Sequence, residues 1–135
     1  MQVGRINQTF SFDAPPHEVY EALMDARKHG AFTNSPVVMS RKVGGTFRIF
    51  DGYCTGRNLE LLPDQKIVQA WHFREEDWPE DHFSTCTFAF AATENGTELH
   101  FSQTDVPEQH VESLAQGWHT YYWNPMQEWL TLRLA

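Results

Sequence analysis

Positive charge is in short supply along this chain: ten lysines and arginines face eighteen aspartates and glutamates, a formal net charge of -8 over 135 residues. Nucleic acid and anionic membranes are repelled by such a chain, so neither is an expected partner, and a neutral ligand or a protein surface fits better. Cysteine is nearly absent. Cys54 and Cys86 stand far apart with no CxxC pairing, which argues against a disulfide framework and a structural zinc site, and both read as reduced core thiols. No stretch approaches the roughly 18 apolar residues of a membrane span, and the first five residues carry no apolar signal core, so the expected location is cytoplasmic. Signatures of chemistry are missing too. There is no GxSxG, Walker loop or GxGxxG, and seven histidines include no pair at HxH or HExxH spacing, so no metal and no cofactor are expected.

The chain is well supplied with apolar and aromatic residues, 41% and 14%, enough for one sizeable core; residues 1–135 are read as a single domain. Ile6, Phe10 and Phe12 alternate with polar residues as in a half-buried strand, which ends at Asp13-Ala14-Pro15-Pro16. Val19, Ala22, Leu23 and Ala26 then recur at helical spacing, so residues 16–27 read as an amphipathic helix that Gly30 ends or bends, giving two short helices. From Thr33-Asn34-Ser35-Pro36 to about Gln103 the period is that of strands. Asp51-Gly52 and Asn95-Gly96 are hairpin dipeptides, and short links predict an antiparallel meander.

Residues 107–134 return to helical spacing, with Val111, Ala115, Trp118, Tyr122, Met126 and Trp129 on one stripe. Pro125 interrupts it, lacking an N–H and crowding the Tyr121 carbonyl, so a kink or break is expected near Tyr122. Gly117 is expected to let the helix approach the sheet closely.

Ala31-Phe32-Thr33, Gly44-Gly45-Thr46-Phe47, Asp51-Gly52, Gly56, Trp71, Trp78-Pro79-Glu80 with His82-Phe83, and Gly117-Trp118 with Tyr121-Tyr122 occur in an order that resembles the C-terminal domain of the activator of the ninety-kDa heat-shock-protein ATPase. The likeness runs from about Phe10 to Trp129 and departs at Asp81, where glycine is usual, and at Pro125. It implies an α+β helix-grip, START-like fold: a curved antiparallel sheet of six or seven strands around a long C-terminal helix. Eukaryotic members of that family carry a separate N-terminal domain with much of the ATPase stimulation, whereas this sequence opens at the first strand; association with a heat-shock chaperone ATPase without strong activation is therefore expected.

Three functional readings follow. In the first, a non-catalytic domain holds a small apolar molecule between sheet and helix, with Trp71, Phe88, Trp118, Tyr122 and Met126 as walls, although aromatic stripes at helical spacing more often fill a core. In the second, Trp78 is an apolar anchor within the acidic run Glu75, Glu76, Asp77, Glu80 and Asp81, and Trp78, Glu80 and Asp81 dock a protein partner. The third borrows from START-like polyketide cyclases and dehydratases and would need Arg48, Tyr53 or His72 facing the cavity. Strand alternation places Arg48 opposite Phe47 and Ile49, toward solvent. His82 reads as a loop-ordering hydrogen-bond partner.

Overall fold

Alternation of apolar and polar residues becomes seven strands in the computed structural model, which describes residues 1–134. They are β1 (Val3–Phe12), β2 (Val38–Met39), β3 (Thr46–Ile49), β4 (Cys54–Leu62), β5 (Lys66–Phe73), β6 (Ser84–Ala92) and β7 (Thr97–Pro107), with helices α1 (Pro16–Met24) and α2 (Ala26–Thr33) after the first strand. Every pairing is antiparallel, in the order β1-β7-β6-β5-β4-β3-β2. The first strand crosses to pair with the last, and the helices cover one face of the curved sheet. This is the expected helix-grip architecture. No helix among the described residues is long and apolar enough to cross a membrane.

Local chemistry moves several boundaries. The first helical segment breaks at Asp25, not at Gly30, because the Asp25 carboxylate accepts the Lys28 N–H at 3.0 Å and caps α2. Asp51 and Gly52 both have positive φ, and the Tyr53 N–H reaches the Phe50 carbonyl at 3.1 Å, the geometry of a tight hairpin turn. Asn95-Gly96 turns the chain without positive φ; Gly96 is required there because a Cβ would strike the Phe12 carbonyl oxygen. A bulge between Asn58 and Glu60 reverses the inward set of β4. Asn58 is thereby buried, while Leu59 is exposed.

The C-terminal segment starts later than its periodicity suggests. β7 runs through Pro107, a 3-10 turn spans Glu108–His110, and helix α3 is Val111–Trp118. A π-helical turn, His119–Trp123, leads into α4, Asn124–Leu134. Pro125 explains the wide turn: it has no N–H for the Tyr121 carbonyl, so the helix widens ahead of it and the Asn124 N–H bonds back to His119, five residues earlier. Proline then stands in the first turn of α4, where a missing donor costs nothing. The break thus falls where expected, as a widened turn. It also turns a residue inward that regular helical spacing leaves off the stripe. Trp118, Tyr122 and Trp123 are all buried.

Buried polar groups seat this helix on the sheet. The Trp118 indole N–H donates to Gln103 Oε1 at 2.8 Å, Gln103 Nε2 donates to the Ser84 hydroxyl at 2.9 Å, and Ser84 donates to the Trp71 carbonyl at 3.2 Å. Trp71 donates to Gln69, which donates to Asn58, which holds the Ser40 carbonyl. On the far side, Gln8 accepts from the Trp123 indole at 2.7 Å and donates to the Ala115 carbonyl at 2.7 Å. Among the described residues no buried side-chain nitrogen or oxygen lacks a partner, so the network avoids the desolvation penalty of an orphaned polar atom.

His29 ties α2 to the π turn. Its Nδ1 donates to the Leu23 carbonyl at 2.9 Å and its Nε2 accepts from the Tyr122 hydroxyl at 2.7 Å, while its ring stacks on Phe32. The Leu23 carbonyl can only accept, which assigns the Nδ1–H tautomer. Burial holds the imidazole neutral and lowers its pKa to about 4.

Trp118→Ala should destabilise the fold by about 3–5 kcal/mol in chemical denaturation, the range for emptying a large aromatic site; a loss below about 1 kcal/mol would contradict its burial. His29 predicts a pH dependence. Because its folded pKa lies below the free value of 6.5, its stabilisation is complete above pH 6.5 and declines as pH falls toward 4, by about 3 kcal/mol in all, as the unfolded chain alone takes up the proton. His29→Gln keeps a donor and an acceptor but cannot titrate. Denaturation midpoints from pH 4 to 6.5 should therefore fall less steeply in that variant than in the native sequence, and equal slopes would show that His29 does not carry the effect.

Candidate functional site

The curved sheet and the helix do not meet everywhere. Where α3 passes into the π turn above β3–β5, a half-open cleft of about 120 Å³ remains. Phe50, Tyr53, Cys54, Trp71 and Phe73 line it from the sheet, and Ser113, Leu114, Gly117, Trp118, Tyr121 and Tyr122 from the helix. Of the five expected wall residues, Trp71, Trp118 and Tyr122 are there. Phe88 and Met126 are not: both are fully packed into the core, Phe88 against Phe101 at 5.1 Å between ring centres and Trp118 at 6.0 Å. The aromatic stripe therefore does both jobs, filling most of the interior and lining one end.

Gly117 has a different role from the one its sequence suggests. A Cβ there would meet only the Tyr121 ring, at an ordinary 3.8 Å. Nothing on the sheet presses against it, so its missing side chain leaves space in the cleft and is not needed for close helix–sheet approach. Residues not singled out beforehand as walls complete the box. Phe50 has a φ of 53°, a left-handed conformation that costs a bulky residue roughly 1–2 kcal/mol, and it carries its ring to within 6.2 Å of both Tyr121 and Tyr122. The available signals were its position beside Asp51-Gly52 and the Tyr121-Tyr122 pair just ahead of Pro125.

Few groups in the cleft are suited to proton transfer. Of the three residues a catalytic reading needs, only Tyr53 lies in the cleft wall; Arg48 is exposed on the convex face, and His72, on that same face, has its Nδ1 3.1 Å from the His82 carbonyl oxygen. The Tyr53 hydroxyl donates to Glu75 Oε1 at 2.6 Å, and its pKa is raised, first by burial and then by that hydrogen bond and the Glu75 charge. Burial likewise pushes up the Cys54 and Cys86 thiols, both free and reduced. The Tyr122 hydroxyl is committed to His29.

The acidic loop differs from its expected form at its centre. Trp78 is 5% exposed, so it is no surface anchor. Its ring packs 5.1 Å from Phe73 and 5.8 Å from His110, and its indole N–H donates to the His82 carbonyl at 2.9 Å. Tryptophan is too large and apolar to stay in solvent when a ring-lined slot stands beside it. Glu75, Glu76, Asp77, Glu80 and Asp81 remain exposed around it. His82 orders this loop, its Nε2 lying 2.6 Å from the Asp105 carbonyl oxygen.

Known proteins share this fold. A family model described as Activator of Hsp90 ATPase homolog 1-like protein matches residues 13–131. Activator of 90 kDa heat shock protein ATPase homolog 1 from Homo sapiens is 32% identical over 118 residues, which cover 87% of this chain and 34% of that protein. A homologue from Dictyostelium discoideum is 31% identical over 108 residues, 79% of this chain and 28% of its own length. This chain thus spans about a third of the length of the curated relatives it matches. Among solved structures, an HSP90 activator from Plasmodium falciparum superposes with a TM-score of 0.79 at 29% identity, covering 87% of this chain and 89% of that one. A protein of the dynemicin biosynthetic locus reaches 0.78 at 19% identity, over 94% of this chain and 47% of that one, a likeness of fold alone. A model match that begins just after β1 and ends within α4, taking in both the cleft and the loop around Trp78, shows that the chain belongs to the family of Activator of Hsp90 ATPase homolog 1-like proteins.

Proposed function

We propose that this domain is a non-catalytic binding module that associates with a 90 kDa heat-shock ATPase. The observation that carries the reading is the 32% identity to a protein named as an activator of that ATPase, over 87% of this chain. The cleft chemistry agrees with it. About 120 Å³ is well below the roughly 300–1,000 Å³ of a site for a drug-sized substrate, and the polyketide-cyclase alternative would need just such a site. Arg48 and His72 also lie outside the cleft. On the acidic side, Glu80 and Asp81 are exposed next to a loop that Trp78 holds in place, and they are the residues we assign to contact with a basic patch on the partner.

A second reading is favoured by one observation, the cleft itself. A cavity of about 150 Å³ lined by apolar side chains accepts a single benzene ring, so this slightly smaller, half-open one suits a small apolar or amphipathic group. The two readings are compatible because they use different surfaces.

Titrating the purified domain into a 90 kDa heat-shock ATPase should give association with weak stimulation. Binding should fade between 0.1 M and 1 M salt as the screening length falls from about 10 Å to about 3 Å. Glu80→Lys with Asp81→Lys should weaken it several-fold, mainly through the association rate. Absence of association at low salt discards the chaperone reading.

A further inference from the structure

The cleft takes no part in the partner contact proposed above, and its walls have a chemistry of their own. Phe50 meets Tyr121 at 76° and Tyr122 at 85°, and Tyr53 meets Phe73 at 77°. Rings set near right angles to one another form the sides of a box, lined largely by aromatic side chains. Three of the donors that such rings could offer a ligand are committed elsewhere. The Trp71 indole N–H is used by Gln69 at 2.9 Å, that of Trp118 by Gln103 at 2.8 Å, and the Tyr122 hydroxyl by His29 at 2.7 Å. A carboxylate or phosphate entering the cleft would be stripped of water and offered no cationic group, only the neutral hydroxyls of Ser113 and Tyr121.

Charge leads to the same conclusion. No lysine, arginine or histidine lines the cleft. Glu75 lies outside the lining but is bound to one of its members, accepting from the Tyr53 hydroxyl at 2.6 Å, and among the described residues it has no ion-pair partner. Its charge acts on two wall residues, Tyr53 and Cys54. An electron-rich aromatic face attracts a cation within about 6 Å, and most strongly where water is excluded. A formal charge of -8 further concentrates cations around the molecule. The left-handed backbone that carries the Phe50 ring into this box is strain of the kind that collects at ligand sites.

We propose that the cleft binds an alkylated ammonium cation, its quaternary head against the rings of Phe50, Tyr53, Trp71, Trp118 and Tyr121, with Glu75 balancing its charge. This assignment rests on the small-ligand reading of the cleft and is independent of the chaperone reading. A free quaternary amine and a trimethylated lysine side chain share this chemistry and differ only in what the head is attached to.

The decisive comparison is between choline and its neutral isostere 3,3-dimethylbutan-1-ol, titrated into the intact domain while tryptophan emission is followed. Choline should bind about tenfold more tightly. Glu75→Gln should lower its affinity several-fold and leave that of the isostere unchanged. Gly117→Leu should block both by filling the cleft. Gly117→Ala, which favours the helix while narrowing the space, gives a second variant whose thermal midpoint should not fall. A lysine-trimethylated peptide that binds more tightly than choline, and more tightly than its unmethylated form, assigns the side-chain source; choline binding more tightly than that peptide assigns the free amine. Equal affinities for choline and the isostere overturn the cation while leaving a small-ligand cleft in place. Binding of neither, or binding unchanged in a folded Gly117→Leu protein, overturns both.

Discussion

A single missing hydrogen-bond donor shapes the C-terminal helix and much that depends on it. Pro125 cannot answer the Tyr121 carbonyl, and the π turn that absorbs the defect brings Trp118, Tyr122 and Trp123 to the same buried face. In a regular helix, residues five apart diverge by about 140°, and Trp123 would leave the core. The extra residue in the turn instead creates an aromatic platform, with Trp118 and Trp123 stacked at 5.4 Å and 16°. The same turn places Tyr121 and Tyr122 at the cleft, so one proline bears on both the core and the site.

Such an aromatic interior could settle into several packings of similar energy, since large rings make good contacts in many orientations. Directional bonds to buried amides reduce that freedom. Gln103 and Gln8 each hold one indole, and a register slip along β7 or β1 would leave amide and indole groups unpaired in a dry core. Apolar burial supplies the driving force here, and the glutamines define one arrangement of it. His29 does the same for the α2 contact by linking Leu23 to Tyr122.

The elements were legible wherever one period ran uninterrupted. Ser84 to Phe90 alternates cleanly and forms β6 with Ser84, Cys86, Phe88 and Phe90 buried. Val111 to Tyr122 keeps helical spacing and forms the gripped helix. Legibility failed where an insertion resets the period, as at the bulge that buries Asn58 and exposes Leu59, and where burial depends on distant partners. Trp78 in a run of carboxylates looks like a surface residue until β5 and the turn at His110 come together around it. The cleft was the least legible part. Its existence follows from the curvature of the sheet, but its place depends on Gly117 and on the unusual backbone at Phe50, and neither is a matter of hydrophobic spacing.

The buried Trp78 makes the acidic loop a rigid fitting. Its indole is clamped between Phe73 and His110, and the loop carbonyls at Glu76 and Asp77 are held by His110 and Gln109 at the root of the gripped helix. The backbone of the loop is ordered in folding, so a partner meets carboxylates carried on a set main chain and has only their side chains left to order. Phe73 is also a wall of the cleft. The loop and the cavity thus share one aromatic contact, with Trp78 on the loop side of it and Phe73 on the cavity side.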